Sequence, residues 1–298
     1  MTSRTLDQNF YHFPELPWLE LRRTEFSTLH YKPHSHQQLS IGAILDGSTQ
    51  VCYQGKIQQA EKGDLVIINP GHIHYCNPES GHFRSYYMLY LDACWCLQKL
   101  SALFDQSSDL ADHSTVPVKS TSFKDAAGIV ASKNLQIFCP DMTLQQPALL
   151  QLYLETVHHL LNQELSGAEQ ALDQLIFNLF SQFFTPISGQ QEEHRFTRYC
   201  RQRLLQDIVG PPAIERIAEE LNCRTETLIR RFKKDTGISP KAFLNNARIE
   251  QARILLKSDL PLADIAQMTG FSDQSHFHKA FVSHTSSTPG QYQKADFR

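Results

Sequence analysis

Features of membrane proteins, secreted disulfide frameworks and zinc-binding chains are missing from these 298 residues. No apolar run approaches the roughly 20 residues that a membrane-spanning helix requires, and Met1 to Arg4 lead into no signal-peptide core. The seven cysteines are an odd number with neither zinc-type nor CxxC spacing. We therefore expect reduced thiols, a cytoplasmic location and no membrane partner. A redox pair at Cys94 and Cys96 stays open as an alternative.

The charge is divided unequally along the chain, although the net charge is only −3. Residues 190–298 contain 17 Lys and Arg against 13 Asp and Glu, which gives +4. Subtraction from the totals of 28 and 31 leaves 11 against 18, or −7, for residues 1–189. A basic part beside an acidic part suits a DNA-binding domain attached to a domain that does not touch DNA, although solvated surface charge would give the same counts.

The C-terminal third contains an internal repeat. The segment IERIA, which starts at Ile214, recurs as LADIA 48 positions later, and Phe232 recurs as Phe281 at a shift of 49. Each copy predicts a short helix, a tight turn and a second helix with apolar anchors inward and polar residues outward. This is the pattern of a helix-turn-helix, whose second helix enters the DNA major groove. We predict two such units, at 214–235 and 262–284.

This part of the chain resembles the AraC/XylS-type transcription regulators. The residues that carry the resemblance are IAEELNCRTETLIRRFKKDTGISPKAFLNNARIEQARILLKSDLPLADIAQMTGFSDQSHFHKAF, followed by TPGQYQK. The resemblance implies a sequence-specific transcription regulator rather than an enzyme, with a double-stranded DNA operator and RNA polymerase as partners. Such proteins usually end the second recognition helix with Phe-Gly, whereas this chain has Thr285-Ser286. We therefore expect a looser end to that helix.

The second helix of each unit supplies the candidate DNA contacts. By the resemblance, the base-contacting positions of the first unit fall on Glu226, Ile229 and Arg230. The chemistry agrees, because Arg can pair with guanine, Glu with cytosine and Ile with a thymine methyl group. Plain solvation is the alternative for any one of these side chains. The matching positions of the second unit are Gln274, Ser275, His278 and Lys279, and the expected phosphate contacts are Lys233, Lys234 and Arg248.

The N-terminal part has the signals of short strands over residues 18–92. Leu65–Ile68 has the composition of a buried strand, Asp46-Gly47 that of a hairpin turn, and residues 1–17 that of an irregular leader. Six to eight strands at this spacing predict a small sandwich or barrel. The run PHSHQQLSIGAILDGSTQVCYQGKIQQAEKGDLVIINPGHIHYCNP resembles the cupin-type ligand-binding domain found at the front of the same family. The resemblance implies an α+β protein, with a cupin-like β-barrel and helices before an all-α double helix-turn-helix domain, and a small-molecule effector.

The pattern changes to helices over residues 93–185. Ala171 to Phe184 has a broad apolar stripe at helical spacing. The stripe can cover the open barrel face or pair with the same helix of a second subunit, so a homodimer is an expected partner and both readings stay open. We predict a ligand-binding and dimerisation domain over residues 1–185, a linker at 186–195 and a DNA-binding domain over 196–298.

Two His-x-His motifs, at His34 and His72, are the remaining chemical signal. On a strand, such a motif places both rings on one face, and a third His from a facing strand could complete a metal site. No Asp or Glu follows His36, and the family resembles cupins without generally keeping their metal chemistry, so neither a metal nor a cofactor is expected. A metal site, an organic-ligand pocket and simple packing all stay open. The candidate ligand-binding residues are His34, His36, His74, Ser40, Gly42, Asn69 and Tyr86.

Three functions fit these observations. The first is a regulator whose N-terminal barrel senses a small molecule. The second is a cupin metal-dependent enzyme with a DNA-binding tail, and the third is a regulator that uses its barrel only for dimerisation. The sequence has no Asp or Glu after His36 to complete a cupin metal site, and it shows no activated nucleophile and no convergent acid pair. These absences favour the first function, for which no catalytic residues are expected.

Overall fold

The computed structural model describes residues 7–53, 55–108, 138–184, 194–294 and 296–297. The strands are β1 (Asp7–His12), β2 (Leu19–Ser27), β3 (Leu39–Tyr53), β4 (Lys56–Glu61), β5 (Leu65–Ile68), β6 (His74–Asn77), β7 (Arg84–Leu91), β8 (Thr143–Leu144) and β9 (Asp296–Phe297). The helices are α1 (Ala93–Ser108), α2 (Pro147–Leu161), α3 (Leu165–Phe183), α4 (Arg195–Gln206), α5 (Ile214–Glu220), α6 (Thr225–Thr236), α7 (Pro240–Leu255), α8 (Leu262–Met268), α9 (Gln274–Thr285) and α10 (Pro289–Gln293). Among these residues, no helix has both the length and the apolar character needed to cross a membrane.

The long strand β3 organises the N-terminal sheet. Its first half pairs with β5 and β7, and its second half pairs with β4 and β6. The strand order is β8-β5-β3-β7-β2-β1-β9, and every pair is antiparallel except β1 with β9. Because β3 changes partners along its length, the sheet curls into the half-open barrel that the sequence predicts. The C-terminal part is helical except for β9, which pairs with β1, so the prediction of an all-α domain is wrong at that point.

Two local predictions in this region are wrong. Residues 46–47 do not form a hairpin turn, because β3 runs through them and its register with β7 shifts between Ile44 and Asp46. This shift is a β-bulge, which Gly47 accommodates at φ 74°, and a Cβ atom there would lie 2.0 Å from the carbonyl oxygen of Phe83. The leader is not wholly irregular either, since β1 pairs with β2 along its whole length.

The two faces of the sheet have different coverings. Leu21, Ile41 and Leu89 lie on one face and belong to a core that includes the buried stripe of α3. That stripe therefore covers the sheet within the chain, although Phe177 on α3 remains 52% exposed. The opposite face, which includes Arg22 on β2, faces the C-terminal helices. Alternation of side chains along each strand keeps the two sets apart.

The C-terminal helices form two helix-turn-helix units on separate cores. Helices α4, α5 and α6 enclose the first core, around Phe232. The second core, around Phe277 and Phe281, lies among α7 to α10 and includes Phe10 of β1. Helix α7 therefore joins the two units, and the sheet contributes a side chain to the second.

The two second helices, α6 and α9, both end in a left-handed residue. Gly237 has φ 84° after α6, and Ser286 has φ 53° at the equivalent position after α9. The expected loosening is not seen in the backbone, because the Ser286 amide donates to the Val282 carbonyl at 2.8 Å. A non-glycine residue in this conformation still carries steric strain.

Candidate functional site

A cavity lies between the sheet and the C-terminal helices. Its volume is about 70 Å³. Strands β2, β3, β5 and β7 form its floor, and α7, α9 and α10 supply the opposite wall. The register pairs Arg22 with Met88 and Thr24 with Tyr86, so alternate residues of β2 and β7 point to this same side.

Five of the seven predicted ligand-binding residues line this cavity. They are His34, His36, His74, Gly42 and Tyr86. Ser40 lies behind the wall, with its Oγ 3.4 Å from the Nε2 atom of His36. Asn69 is buried elsewhere, where its side chain donates to the carbonyl and accepts from the amide of Cys139, both at 2.8 Å.

The prediction that His34 and His36 share a strand is wrong, yet their rings converge. Both residues precede β3, and only His34 forms a bridge, to His74. The ladder does not extend beyond this pair, because the Lys32 amide donates to the Ser283 carbonyl at 3.3 Å and the His36 carbonyl accepts from the Gly71 amide at 2.7 Å. The His74 ring centroid lies 4.5 Å from that of His34 and 4.8 Å from that of His36. His284 of α9 approaches His34 at 6.3 Å, so the cluster extends across both parts of the chain.

Burial keeps these rings neutral. It lowers the pKa of His34 and His36 well below 6.5, and His74 lowers both further. Burial also lowers the pKa of His74 to about 4. Each Nδ1 atom lies 2.8–3.0 Å from a backbone carbonyl, so it carries the proton and leaves Nε2 as an acceptor. Among the described residues, no group of three or more His, Cys, Asp or Glu is placed to hold a metal ion.

The sequence reasoning missed two buried arginines in the cavity wall. Arg22 and Arg84 are only 2% and 1% exposed. Arg22 donates to the Thr285 carbonyl at 2.8 Å and to the Thr24 hydroxyl at 3.0 Å, and Arg84 donates to the Leu29 carbonyl at 3.2 Å. Arginines on strands normally point to solvent, so only the alternation of Arg22 with apolar Leu21 could have signalled an inward position.

A buried ionic cluster beside the cavity joins the sheet to α7. The Glu20 carboxylate lies 2.9 Å from Arg253 and 3.8 Å from Lys257, and it accepts a hydrogen bond from Tyr292 at 2.6 Å. His12 lies 3.1 Å from the same carboxylate. Burial alone would raise the pKa of Glu20, but Arg253, His12 and Lys257 lower it far below its usual range. Glu20 is therefore charged and fully paired.

The predicted DNA contacts are mostly on the surface. Arg248 differs, because it is half-buried and donates to the carbonyls of Ile208 at 2.8 Å and Val209 at 3.3 Å. The side chain of Asp273 caps α9 by accepting from the His276 amide at 2.7 Å, which fixes the start of that helix. The exposed side chains on α6 and α9 are Glu226, Ile229, Arg230, Lys233, Lys234, Gln274, Ser275, His278 and Lys279.

The seven cysteines are all free thiols. Cys94 is exposed and Cys96 is buried, and residues two apart on a helix point away from each other. Burial raises the pKa of both thiols, which disfavours the reactive thiolate. Nothing in this geometry supports a redox pair.

Comparison with known proteins identifies both parts. The family model described as AraC-like ligand binding domain matches residues 17–180, and the model described as helix-turn-helix domain matches residues 217–295. The uncharacterized HTH-type transcriptional regulator YbfI of Bacillus subtilis (strain 168) is 25% identical over 251 residues, which are 82% of this chain and 80% of YbfI. The transcriptional regulator MtrA of Neisseria gonorrhoeae is 34% identical over 96 residues. That match spans 30% of this chain and only 32% of MtrA.

Solved structures share the two-part fold at low sequence identity. A single-substitution variant of apo ToxT from Vibrio cholerae strain SCE256 has a TM-score of 0.54 at 13% identity, covering 98% of this chain and 97% of ToxT. Wild-type ToxT bound to an unsaturated fatty acid has a TM-score of 0.53 at 14% identity over the same shares. These likenesses support the arrangement of a curled sheet before helix-turn-helix units.

Proposed function

The chain belongs to the AraC family of transcription regulators, and on that premise we propose that a small molecule in the cavity controls its sequence-specific DNA binding. One observation carries the proposal, namely that the cavity wall is shared between the sheet and the DNA-binding helices. Asn246 and Arg253 of α7 and His284 of α9 line it together with residues of the sheet. An occupant would therefore contact both parts at once.

Direct contacts connect the sheet at the cavity with the helices of the two helix-turn-helix units. Helix α7 joins the two helix-turn-helix units, so its position sets their relative placement. Its Asn246 side chain donates to the backbone carbonyl of Ser35 at 3.0 Å, and its Arg253 pairs with Glu20. Arg22 of the sheet holds the last carbonyl of α9. A ligand that favours one arrangement of these contacts would bias the spacing of the two recognition helices.

The exposed side chains of α6 and α9 suit the reading of bases in two segments of major groove. The residues that would contact bases are Glu226, Ile229 and Arg230 of α6 and Gln274, Ser275, His278 and Lys279 of α9. Lys233 and Lys234 of α6 would hold phosphates, which position the protein without specifying a sequence.

Selection of binding sequences from a random DNA library with the full-length chain tests this function. We expect enrichment of a bipartite sequence whose halves are centred about 10 base pairs apart, the spacing of one helical turn. A parallel selection with a protein in which Arg230 and Gln274 are both alanine is the control, and it should lose both halves. Enrichment of no sequence by a folded wild-type protein would contradict the proposal.

Dimerisation is a separate part of the proposal. The outward Phe177 of α3 is 52% exposed and would suit an interface with a second copy. Light scattering should show a dimer for the wild type and a monomer for Phe177→Glu. The control is Ile57→Glu on β4, which changes a side chain that is 57% exposed and should leave the dimer intact. A wild-type protein that is monomeric at micromolar concentration would contradict the proposal of a dimer.

The remaining partners and boundaries follow from the same reading. We propose RNA polymerase as a partner at the promoter and a cytoplasmic location. We also propose a division into a domain of residues 1–185, a linker at 186–195 and a domain of residues 196–298. Most of the linker lies outside the described residues. The regulator role leaves no need for catalytic residues, so we propose no enzymatic activity.

A further inference from the structure

Arg22 and Arg84 are buried without a counter-charge. No acidic side chain forms an ion pair with either one in the part of the chain that the structure describes. The nearby acids are engaged elsewhere, since Glu20 pairs with Arg253 and Lys257, and Glu250 lies 3.3 Å from Arg253. A buried guanidinium without an anion is costly, so proteins normally pair it.

Each arginine also has a buried donor without an acceptor. Among the described residues, Nη2 of Arg22 and Nη1 of Arg84 meet no hydrogen-bond partner. Such unsatisfied groups are rare in folded proteins and call for an explanation. Both residues line the cavity, and the Tyr90 hydroxyl beside Arg22 carries no charge, so an anionic partner for either guanidinium has to come from an occupant of the cavity.

The two cations have the same pair of aromatic neighbours. Their Cζ atoms both lie within 6 Å of the ring centroids of Tyr31 and Tyr86. The hydroxyl groups of these tyrosines are 2.8 Å apart. Cation–π contacts offset part of the cost of burying each guanidinium, but they supply no acceptor for its N–H groups. The planar fork of arginine matches a carboxylate, which can accept two parallel hydrogen bonds.

The rest of the cavity wall limits the polarity and the size of the anion that could bind there. Ile44, Val66, Ile68 and Met88 give the cavity an apolar side. A cavity volume of about 70 Å³ holds several water molecules at roughly 10–15 Å³ each. This is room for a carboxylate with a short alkyl chain, whereas an inorganic ion would leave the apolar wall without a partner.

We propose that the cavity binds a small organic acid, whose carboxylate pairs with Arg22 and Arg84 and whose apolar body packs against β3, β5 and β7. The inference rests on the proposed function, because it names the class of effector for the same cavity. Binding would engage the guanidinium that also holds the end of α9, which connects the acid directly to the second recognition helix.

Calorimetric titration of the full-length chain tests the inference with acids and their neutral analogues. The probes are acetate, butyrate and hexanoate, each compared with its primary amide, and sodium phosphate. We expect at least one acid to bind about tenfold or more tightly than its amide, since the amide carries no charge for the arginines. Phosphate should bind more weakly than that acid. Equal affinity of acids and amides, stronger binding of phosphate, or no binding of any acid by the folded protein would overturn the inference.

Substitutions of Arg22 and Arg84 test whether the carboxylate of the acid binds to these two side chains. Arg22→Met and Arg84→Met should each weaken binding of the acid about tenfold or more, whereas Arg22→Lys and Arg84→Lys, which keep the charge, should lose less. Arg23→Met is the matched control, because Arg23 is the neighbour of Arg22 on β2 and pairs with Glu25 at 2.7 Å. If a Met variant does not fold, the Lys variant at that position decides. Unchanged affinity in the Lys variants and in every folded Met variant would also overturn the inference.

The outcome for the acid is separable from the outcome for the regulator. If the acid binds but DNA affinity is the same with and without it, the acid site stands and control by the cavity fails. If DNA selection succeeds but no acid binds, the regulator stands and the inference fails. Fluorescence anisotropy with the selected DNA, at saturating acid and at matched concentrations of the amide, distinguishes these cases.

Discussion

At the scale of single residues, the recognition helix α6 presents two kinds of side chain. Arg230 lies among the predicted base-reading positions, and Lys233 among the phosphate contacts, and both are exposed. Only the first kind carries sequence information. The two roles give different responses to truncation.

Arg230→Ala should cost about 1–3 kcal/mol on the selected DNA and relax one base position, because a paired guanine contact is lost. Lys233→Ala should weaken binding to specific and scrambled DNA alike and flatten the dependence on salt. Anisotropy titrations on both DNAs at two salt concentrations measure these effects. Equal losses on both DNAs for Arg230→Ala would remove it from the base-reading set.

The buried histidines predict a dependence of stability on pH. Burial lowers the pKa of His74 from 6.5 to about 4, so between these values the unfolded chain binds a proton that the folded protein does not. Folding free energy is therefore lost as the pH falls below 6.5, and the loss continues down to about 4. His34 and His36 shift in the same direction.

Thermal unfolding of the wild type should therefore show a falling midpoint from pH 7 to pH 5. His74→Gln should show a shallower fall, because it removes one of the groups that must stay neutral. His30→Gln is the control, since His30 is exposed and its removal should leave the slope unchanged. A slope in His74→Gln as steep as in the wild type would contradict the assignment.

At the scale of elements, the two recognition helices differ at their ends. The first ends in glycine at φ 84° and the second in Ser286 at φ 53°. Ser286→Gly should raise the free energy of unfolding by up to about 1 kcal/mol, because glycine adopts this conformation without strain. Gly237→Ser introduces the same strain into the first unit and should lower it by a similar amount. Denaturant unfolding measures both, and a shift of the same sign in the two variants would contradict the account.

The sequence predicts individual helices and strands better than it predicts the tertiary contacts that form the cavity wall. Repetition and helical spacing identify α5 to α9, because the signal for each unit lies within about 20 consecutive residues. The bulge at Gly47 and the strand β1 were missed, because a glycine after Asp suits a turn equally well and a single strand has few residues to show a pattern. The inward position of Arg84 depends on the pairing of β7 with β2 and β3, which are distant from β7 in the sequence.

At the scale of the whole molecule, the sheet and the DNA-binding helices share one interface. The histidine cluster was predicted from two local motifs, but its fourth member, His284, comes from α9. The Glu20 cluster combines β1, β2, α7 and α10, and no local pattern indicates that these elements meet. The prediction of a pocket inside the barrel is therefore incomplete, because one side of the wall belongs to the other part of the chain.

If contacts of the sheet set the state of the DNA-binding helices, Glu20→Gln should change the affinity of the protein for DNA. The variant removes the charge that holds Arg253 and Lys257 of the α7 segment, while Glu20 itself is 1% exposed and away from the DNA-reading side chains. The buried Arg253 then keeps Glu250, at 3.3 Å, as its charged partner and loses the one on the sheet, which weakens the contact between β2 and α7. Glu25→Gln, on the same strand but half-exposed, is the control. We expect that folded Glu20→Gln binds the selected DNA with an affinity changed by about threefold or more, while Glu25→Gln matches the wild type. An affinity of Glu20→Gln equal to that of the wild type would contradict this expectation.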